Sequence, residues 1–140
     1  MAGLETVLLV EDEEAVRRIA TRALQANGYR VIGAADGHQA LAALSGYRGR
    51  IALIITDVVM PNMDGADLAQ RVRALHPDMR VLFTSGYFDD TVGKRGIFTT
   101  GSGFLPKPYA ATVLLRRVRE VLDGPPAGPS ATGPSETVSG

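Results

Sequence analysis

Short aliphatic runs alternate along the chain with stretches in which apolar residues recur every three to four positions. The short runs have the length of strands, and the periodic stretches have the spacing of helices that pack on one side. Strands that alternate with helices predict an α/β fold, in which a single parallel sheet carries helices on both faces. The predicted strands are residues 6–10, 30–34, 51–56, 80–84 and 104–105.

Helical spacing predicts four helices between and after these strands. The first ends near Asn27-Gly28, a C-cap signal, and the second is short, at residues 39–44. The third begins after the N-cap Asp64 and is closed by His76-Pro77. The apolar positions are Val16, Ile19, Ala20, Ala23 and Leu24 in the first helix, Leu68, Val72 and Leu75 in the third, and Leu114, Val118, Val121 and Leu122 in the last.

Two segments depart from this alternation. Residues 87–103 combine several glycines with β-branched threonines, so a helix there would be short, frayed or absent. From Gly124 onward the chain is rich in Gly, Pro, Ser and Thr and nearly lacks large apolar side chains, which predicts a disordered tail over residues 124–140. The folded domain is therefore predicted over residues 4–123.

The overall charge gives no reason to expect a nucleic acid or a membrane surface as a partner. Lys and Arg together number 15, Asp and Glu also number 15, and the formal net charge is zero. Cysteine is absent, which excludes disulfides and thiolate metal sites. Apolar runs such as IALII are too short to cross a bilayer, and the first residues lack the basic region of a signal peptide. We therefore expect a cytoplasmic domain.

Polar side chains follow four of the predicted strands. Glu11 and Asp12 follow the first strand, Asp57 the third, Ser85 the fourth and Lys107 the fifth. Ligands of open parallel sheets bind beyond the carboxyl ends of the strands, so we expect these groups to converge there. Three close carboxylates call for a divalent cation, and oxygen-only ligands favour Mg²⁺, or Mn²⁺, over zinc. Such a site suits phosphoryl transfer with Asp57 as the in-line nucleophile.

Four motifs, LLVEDEE, IITDVVMPNMDG, LFTSGY and FLPKP, occur in this order across the whole predicted domain. Together they resemble the receiver domains of two-component response regulators. The resemblance implies a flavodoxin-like (βα)5 fold with strand order 2-1-3-4-5. It also implies a phosphoacceptor switch that catalyses only its own phosphorylation and slow dephosphorylation, and that is not otherwise an enzyme.

The resemblance implies a role for each acidic residue of the site. Asp57 would accept the phosphoryl group in a reaction that requires Mg²⁺. Asp12, Asp57 and the backbone carbonyl of Val59 would be direct ligands of the metal, and Glu11 would contact it through water. Val59 and Tyr87, each two residues past a site residue, offer no side-chain amide or acid to position the attacking water, which favours slow hydrolysis.

The same resemblance assigns the phosphate-binding and switch residues. Lys107 would bind the phosphoryl group, and its bond to the following proline is expected to be cis. Ser85 would be the switch hydroxyl, and Phe104 would rotate inward when Ser85 moves to the phosphoryl group. Thr84 is a rival for the switch role, but Ser85 is preferred because the small residue Gly86 follows it.

The expected partners are a cognate histidine kinase or its phosphotransfer domain, and a histidine phosphotransferase downstream. The runs SGYFDDTV, GFLPKPY and LLRRVREVL look like the receiver at the C-terminal end of hybrid sensor histidine kinases, although a stand-alone receiver would look the same. The glycine-rich segment at 93–103 weakens a helix that many transcriptional receivers use to dimerise. A monomer or a weak dimer is therefore expected.

Two other kinds of protein compete with this interpretation. A pseudo-receiver that is not phosphorylated would act purely as a protein interaction module, but it would usually lack Asp57, Asp12 or Lys107, and all three are present. A haloacid-dehalogenase-type phosphatase needs a second Asp two residues after the nucleophile, where this chain has Val59. The receiver interpretation is therefore preferred, with the pseudo-receiver as the alternative.

The acidic run EDEE at residues 11–14 also has a purely structural interpretation. Its side chains suit the N-terminus of the first helix, where they favour the helix dipole. Glu13 and Glu14 are assigned to this role alone. The run also argues against a nucleotide-binding loop, because such loops carry glycines where this chain carries acids.

Overall fold

The computed structural model describes residues 5–85 and 102–125. Within these ranges five parallel strands form one sheet in the order β2-β1-β3-β4-β5, which confirms the predicted flavodoxin-like fold. Four helices accompany the strands. The elements are β1 (Thr6–Val10), α1 (Glu14–Ala26), β2 (Arg30–Ala34), α2 (Gly37–Gly46), β3 (Ile51–Asp57), α3 (Gly65–Leu75), β4 (Arg80–Ser85), β5 (Ser102–Pro106) and α4 (Ala111–Asp123).

Several predictions fall outside the described ranges. They concern the glycine-rich segment up to residue 101, including Gly86 and Tyr87, and the tail beyond residue 125. What the sequence predicts for these two segments stays a prediction, as does the division of the chain into a domain at 4–123 and a tail at 124–140.

The hydrophobic core has two layers, one on each face of the sheet. Alternate residues of β1 divide between them, because successive side chains of a strand point to opposite faces. Leu8 and Val10 belong to the layer beneath α2 and α3, whereas Val7 and Leu9 belong to the layer beneath α1 and α4. β1 and β3 are buried almost throughout, so the residues at their carboxyl ends are held rigidly.

Two apolar residues that were predicted to face the core are exposed. Ile19 is 66% exposed, because α1 buries the side that carries Ala20 and Leu24, and Ile19 lies about 100° or more around the helix from it. Leu75 is 71% exposed, because it is the last residue of α3 and follows Val72, the last residue of that helix that packs in the core. The predicted apolar stripes are wrong at these two positions.

Side-chain caps begin two of the helices. The Asp64 carboxylate accepts a hydrogen bond from the Asp67 amide at 2.8 Å, which confirms it as the N-cap of α3. Asp36 caps α2 in the same way through the amide of Gln39, so this helix begins at Gly37, two residues before the predicted start. At the end of α1, Gly28 has a φ of 92°, as the C-cap signal predicts.

Gly65 lies where no side chain fits. A Cβ at this position would collide with the backbone carbonyl of Asp57 and press on Val58. The Gly65 amide also donates to the Val58 carbonyl at 2.7 Å. The close approach of the two chain segments therefore fixes where α3 starts relative to the end of β3.

We expect Gly65→Ala to destabilise the fold by roughly 1–3 kcal/mol, because the clash is with backbone that cannot rotate away. Urea unfolding followed by circular dichroism measures the change. Gly46→Ala is the matched control, since the added Cβ would have no atom within 4 Å beyond its chain neighbours and the backbone of its own helix. It should be neutral or stabilising by up to about 1 kcal/mol. Equal stabilities of the two variants would contradict the packing argument.

Candidate functional site

Four strand ends deliver the polar residues of the site to one edge of the sheet. Glu11 directly follows β1, Asp57 ends β3, Ser85 ends β4 and Lys107 follows β5. Because the strands are parallel, these positions lie at the same carboxyl-terminal edge. The convergence that strand order predicted is therefore present in the structure.

Three carboxylates lie together at this edge. One ligand oxygen each of Glu11, Asp12 and Asp57 falls within 4.8 Å of the others. Glu11 and Asp57 are buried, with 3% and 5% of their surface exposed, whereas Asp12 is exposed. The cluster is thus anchored in the protein on one side and open to solvent on the other.

Lys107 supplies positive charge to this cluster. Its Nζ donates to Glu11 Oε1 at 3.0 Å and contacts both oxygens of Asp57, at 3.2 Å and 3.4 Å. The Lys107 amide donates to the Ser85 carbonyl at 2.7 Å, and the Lys107-Pro108 peptide is cis, as expected. A buried ion pair of this kind needs several hydrogen bonds to offset the loss of water, and here the ammonium makes them.

The titration of the site reflects burial and neighbouring charge. Burial raises the pKa of Glu11 to about 7, helped by the charge of Asp57 and opposed by hydrogen bonds from the Glu13 amide and Lys107. Burial alone would lower the pKa of Lys107, but the hydrogen bond to Glu11 and the charge of Asp57 raise it above its ordinary value. Burial and the Glu11 charge also raise the pKa of nearby Tyr109 to about 12. Lys107 is therefore a permanent cation in this site.

The oxygen atoms at this edge fit a hard divalent cation. Carboxylates of Glu11, Asp12 and Asp57 are the ligands that Mg²⁺ and Mn²⁺ prefer, with no nitrogen or sulfur among them. The Val58 carbonyl is occupied by the Gly65 amide, whereas no backbone amide in the described ranges donates to the neighbouring Val59 carbonyl. Val59 as a whole residue is 58% exposed and lies in the chain segment directly after Asp57.

The two neighbouring hydroxyls of β4 lie in different places. Thr84, which was weighed as a rival for the switch role, donates to Asp57 Oδ1 at 2.6 Å and is 3% exposed. Ser85 is also buried and, by strand alternation, points to the opposite face of the sheet. On that face the half-buried ring of Phe104 packs against the core layer, and Phe104 pairs in register with Phe83.

Sequence reasoning missed two contacts. The Thr84 hydroxyl touches the acceptor carboxylate because Asp57 and Thr84 are register partners, and register cannot be read from either strand alone. Glu13 was assigned to the helix dipole, yet its Oε1 lies 3.5 Å from Lys107 Nζ while its side chain stays 64% exposed.

Comparisons with known proteins agree with this geometry. The profile of the family described as response regulator receiver domain matches residues 7–119. Sensor kinase CckA of Brucella abortus (strain 2308) is 43% identical over 123 residues, which cover 88% of this chain and 13% of the kinase. Response regulator MprA of Mycobacterium leprae (strain TN) is 36% identical over 118 residues, which cover 83% of this chain and 50% of that protein. The chain thus spans half or less of the length of these relatives.

Solved structures give the same result. The receiver domain from hybrid histidine kinase CckA superposes with a TM-score of 0.71 at 42% identity, covering 84% of this chain and 98% of that one. Vibrio cholerae chemotaxis protein CheY4 superposes with a TM-score of 0.76 at 31% identity, with the same coverage. The chain belongs to the response regulator receiver domain family, whose members are phosphoacceptors of two-component systems and generally bind Mg²⁺ through acidic residues.

In residues 5–85 and 102–125, no helix combines the length and the apolar character needed to cross a bilayer.

The raised pKa of Glu11 predicts how stability depends on pH in protein kept free of metal by a chelator. Between the ordinary value of 4.5 and about 7, the folded protein holds a proton that the unfolded chain releases. The contribution of Glu11 to the free energy of unfolding is therefore fully present below pH 4.5 and is lost as the pH rises to about 7. Glu11→Gln should flatten this decline, as measured by urea unfolding across the window.

Glu14→Gln is the matched control, because the Glu14 side chain is 74% exposed. It should leave the decline as it is in the unmodified protein. A decline of the same size in Glu11→Gln would show that another group causes it.

Proposed function

We propose that this domain accepts a phosphoryl group on Asp57 from a histidine kinase phosphohistidine, in a reaction that requires Mg²⁺. The observation that carries the proposal is the position of Lys107, whose Nζ lies 3.2 Å and 3.4 Å from the two oxygens of a buried Asp57. An ammonium in this place can neutralise both the acceptor and an incoming phosphoryl oxygen. Family membership supports the general role of the domain as a phosphoacceptor.

In the transfer, one Asp57 oxygen forms a bond to phosphorus as the bond from phosphorus to the imidazole nitrogen breaks. The electron pair of the broken bond stays on the imidazole, which then takes up a proton. Lys107 holds the attacking carboxylate in place and balances the phosphoryl charge, which is how proteins catalyse this chemistry. Asp12, Asp57 and the Val59 carbonyl would hold Mg²⁺, with Glu11 acting through water, and the ion would supply further charge neutralisation.

Hydrolysis reverses the modification slowly. A water oxygen attacks phosphorus, the bond to Asp57 breaks, and the carboxylate leaves with the electron pair while the proton passes to phosphate or solvent. Val59 cannot orient that water, because its side chain has no hydrogen-bonding group. The domain is therefore a signal carrier, and its catalysis is limited to its own phosphorylation and dephosphorylation.

Signalling is proposed to pass through Ser85 and Phe104. Ser85 ends β4 beside the site, and Phe104 packs on the same face of the sheet one strand away. When the Ser85 hydroxyl moves to the phosphoryl group, it leaves space that the Phe104 ring can fill. Phosphorylation would then shift an equilibrium between two arrangements at the face of β4 and β5.

The protein context of the domain is proposed from its relatives. CckA is named as a sensor kinase, and its solved receiver is named as part of a hybrid histidine kinase. We therefore propose a cytoplasmic receiver of this type. Its phosphoryl donor is a histidine kinase or the phosphotransfer domain of that kinase, and its phosphoryl recipient is a histidine phosphotransferase. A stand-alone receiver would use the same chemistry, and a pseudo-receiver that only binds proteins is the alternative.

Intact mass after incubation with acetyl phosphate tests the function directly. We expect a gain of one phosphoryl group with Mg²⁺, little gain with chelator, and none in Asp57→Asn. Asp64→Asn is the matched control, since Asp64 caps α3 through its side chain and Asn is an equally good cap. It should be phosphorylated like the unmodified protein. Absence of any gain from acetyl phosphate or from a histidine kinase would favour the pseudo-receiver.

The switch has a separate test. We expect Ser85→Ala to accept phosphate on Asp57 but to lose the change in the aromatic NMR signals of Phe104 that phosphorylation causes in the unmodified protein. The reason is that alanine has no hydroxyl to follow the phosphoryl group. A full response of the Phe104 signals in Ser85→Ala would disprove this coupling.

A further inference from the structure

The Thr84 hydroxyl makes a short hydrogen bond to the acceptor that the proposed function does not use. Its Oγ1 donates to Asp57 Oδ1 at 2.6 Å, and both residues are almost fully buried. A bond of this length to a charged oxygen lies in the range of strong, charge-assisted hydrogen bonds. Thr84 therefore contributes to the energy of the Asp57 carboxylate itself.

The register of β3 and β4 explains why the Thr84 hydroxyl reaches Asp57. The side chain of the next residue, Ser85, points to the other face of the sheet. Asp57 and Thr84 are paired Cα positions of the parallel strands β3 and β4, so their side chains point to the same face. That face is the one beneath α1 and α4, where Leu82 of the same strand is buried. Ser85 points to the other face, where Phe83 is buried. Adjacent residues thus present hydroxyls on opposite sides of the strand end.

Phosphorylation changes what Thr84 can bond to. Before the reaction, both Asp57 oxygens share a negative charge. Afterwards one oxygen carries the phosphoryl group, and the other becomes a neutral acyl carbonyl oxygen. A hydroxyl donates roughly twice as strongly to an ionised acceptor as to a neutral one, so the hydrogen bond weakens whichever oxygen is modified.

We propose that the Thr84 hydroxyl stabilises the unphosphorylated carboxylate and thereby shortens the lifetime of the aspartyl phosphate. The inference rests on Asp57 as the phosphoacceptor. As water attacks phosphorus and the bond to Asp57 breaks, negative charge returns to the carboxylate, and the Thr84 hydroxyl stabilises that charge as it develops. Lys107 contacts both Asp57 oxygens independently of Thr84, so we expect the site to keep its arrangement when Thr84 is changed.

The lifetime of the phosphoprotein tests the proposal. The protein is phosphorylated with acetyl phosphate and Mg²⁺, the donor is removed, and the loss of the phosphoryl group is followed by intact mass. Thr84→Val keeps the β-branched shape and removes the hydroxyl. It should lengthen the half-life about fivefold, which corresponds to the energy of about 1 kcal/mol by which a hydrogen bond to a charged acceptor exceeds one to a neutral acceptor. Thr84→Ser restores a hydroxyl and should decay like the unmodified protein.

Thr56→Val is the matched control for the loss of a buried hydroxyl near the site. Thr56 is fully buried in β3, and its Oγ1 donates to the Asp57 backbone carbonyl at 3.1 Å, not to the carboxylate. The half-life of the phosphorylated Thr56→Val variant should be the same as that of the phosphorylated unmodified protein. A half-life in Thr84→Val that is unchanged or shorter, or equal lengthening in Thr56→Val, would overturn the proposal.

Carbon-13 NMR of the Asp57 carboxyl group in unphosphorylated protein gives a second readout. The signal should move in Thr84→Val and stay in place in Thr84→Ser and Thr56→Val. If the unmodified protein accepts no phosphoryl group from any donor, the proposed function fails and the lifetime effect fails with it. If it is phosphorylated but the Asp57 signal does not move in Thr84→Val, the inference about Thr84 alone is wrong.

Discussion

The ammonium of Lys107 is the interaction on which the rest of the site depends. Glu11 and Asp57 are buried side by side, and Lys107 Nζ contacts a carboxylate oxygen of each within 3.2 Å. Two such carboxylates without a cation would take up protons or push apart, because charges repel strongly away from water. Burial raises the pKa of Glu11 to about 7, so the balance is narrow even with Lys107 in place. The remaining need for positive charge explains the fit to a divalent cation.

This charge arrangement requires strands that do not move relative to one another. Lys107 follows β5, whereas its partners follow β1 and end β3, so the ion pairs join segments that are 96 and 50 residues apart in sequence. The two-layered core holds β1 and β3 from both faces, and the Lys107 amide is tied to the Ser85 carbonyl. Gly65 brings the start of α3 against the end of β3 and fixes the turn that carries Val59. Packing far from the chemistry therefore sets distances within it.

Much of this arrangement could be predicted from the sequence, because strand order and strand ends leave a clear pattern. Aliphatic runs that end in Asp57, Ser85 and Lys107 indicate which residues meet, since parallel strands share one carboxyl edge. The hydrophobic pattern alone does not predict how deeply a residue is buried or which residues of two paired strands lie opposite each other. Ile19 fits the apolar period of α1 but lies at its margin and is exposed. The bond from Thr84 to Asp57 follows from the pairing of β3 with β4, which no single strand encodes.

The two proposals assign different roles to the two hydroxyls at the end of β4, one in the chemistry of Asp57 and one in signalling. Thr84 lies on the face of the sheet with Asp57, where it affects the energy of the carboxylate. Ser85 lies on the face with Phe104, which packs against the layer beneath α2 and α3. In the proposed switch, a phosphoryl group on Asp57 would sit at the edge where these faces meet, and it would draw Ser85 towards it while it weakens the hydrogen bond from Thr84. A strand that places hydroxyls on alternate sides can therefore couple the lifetime of the modification to its structural effect without any contact between the two residues.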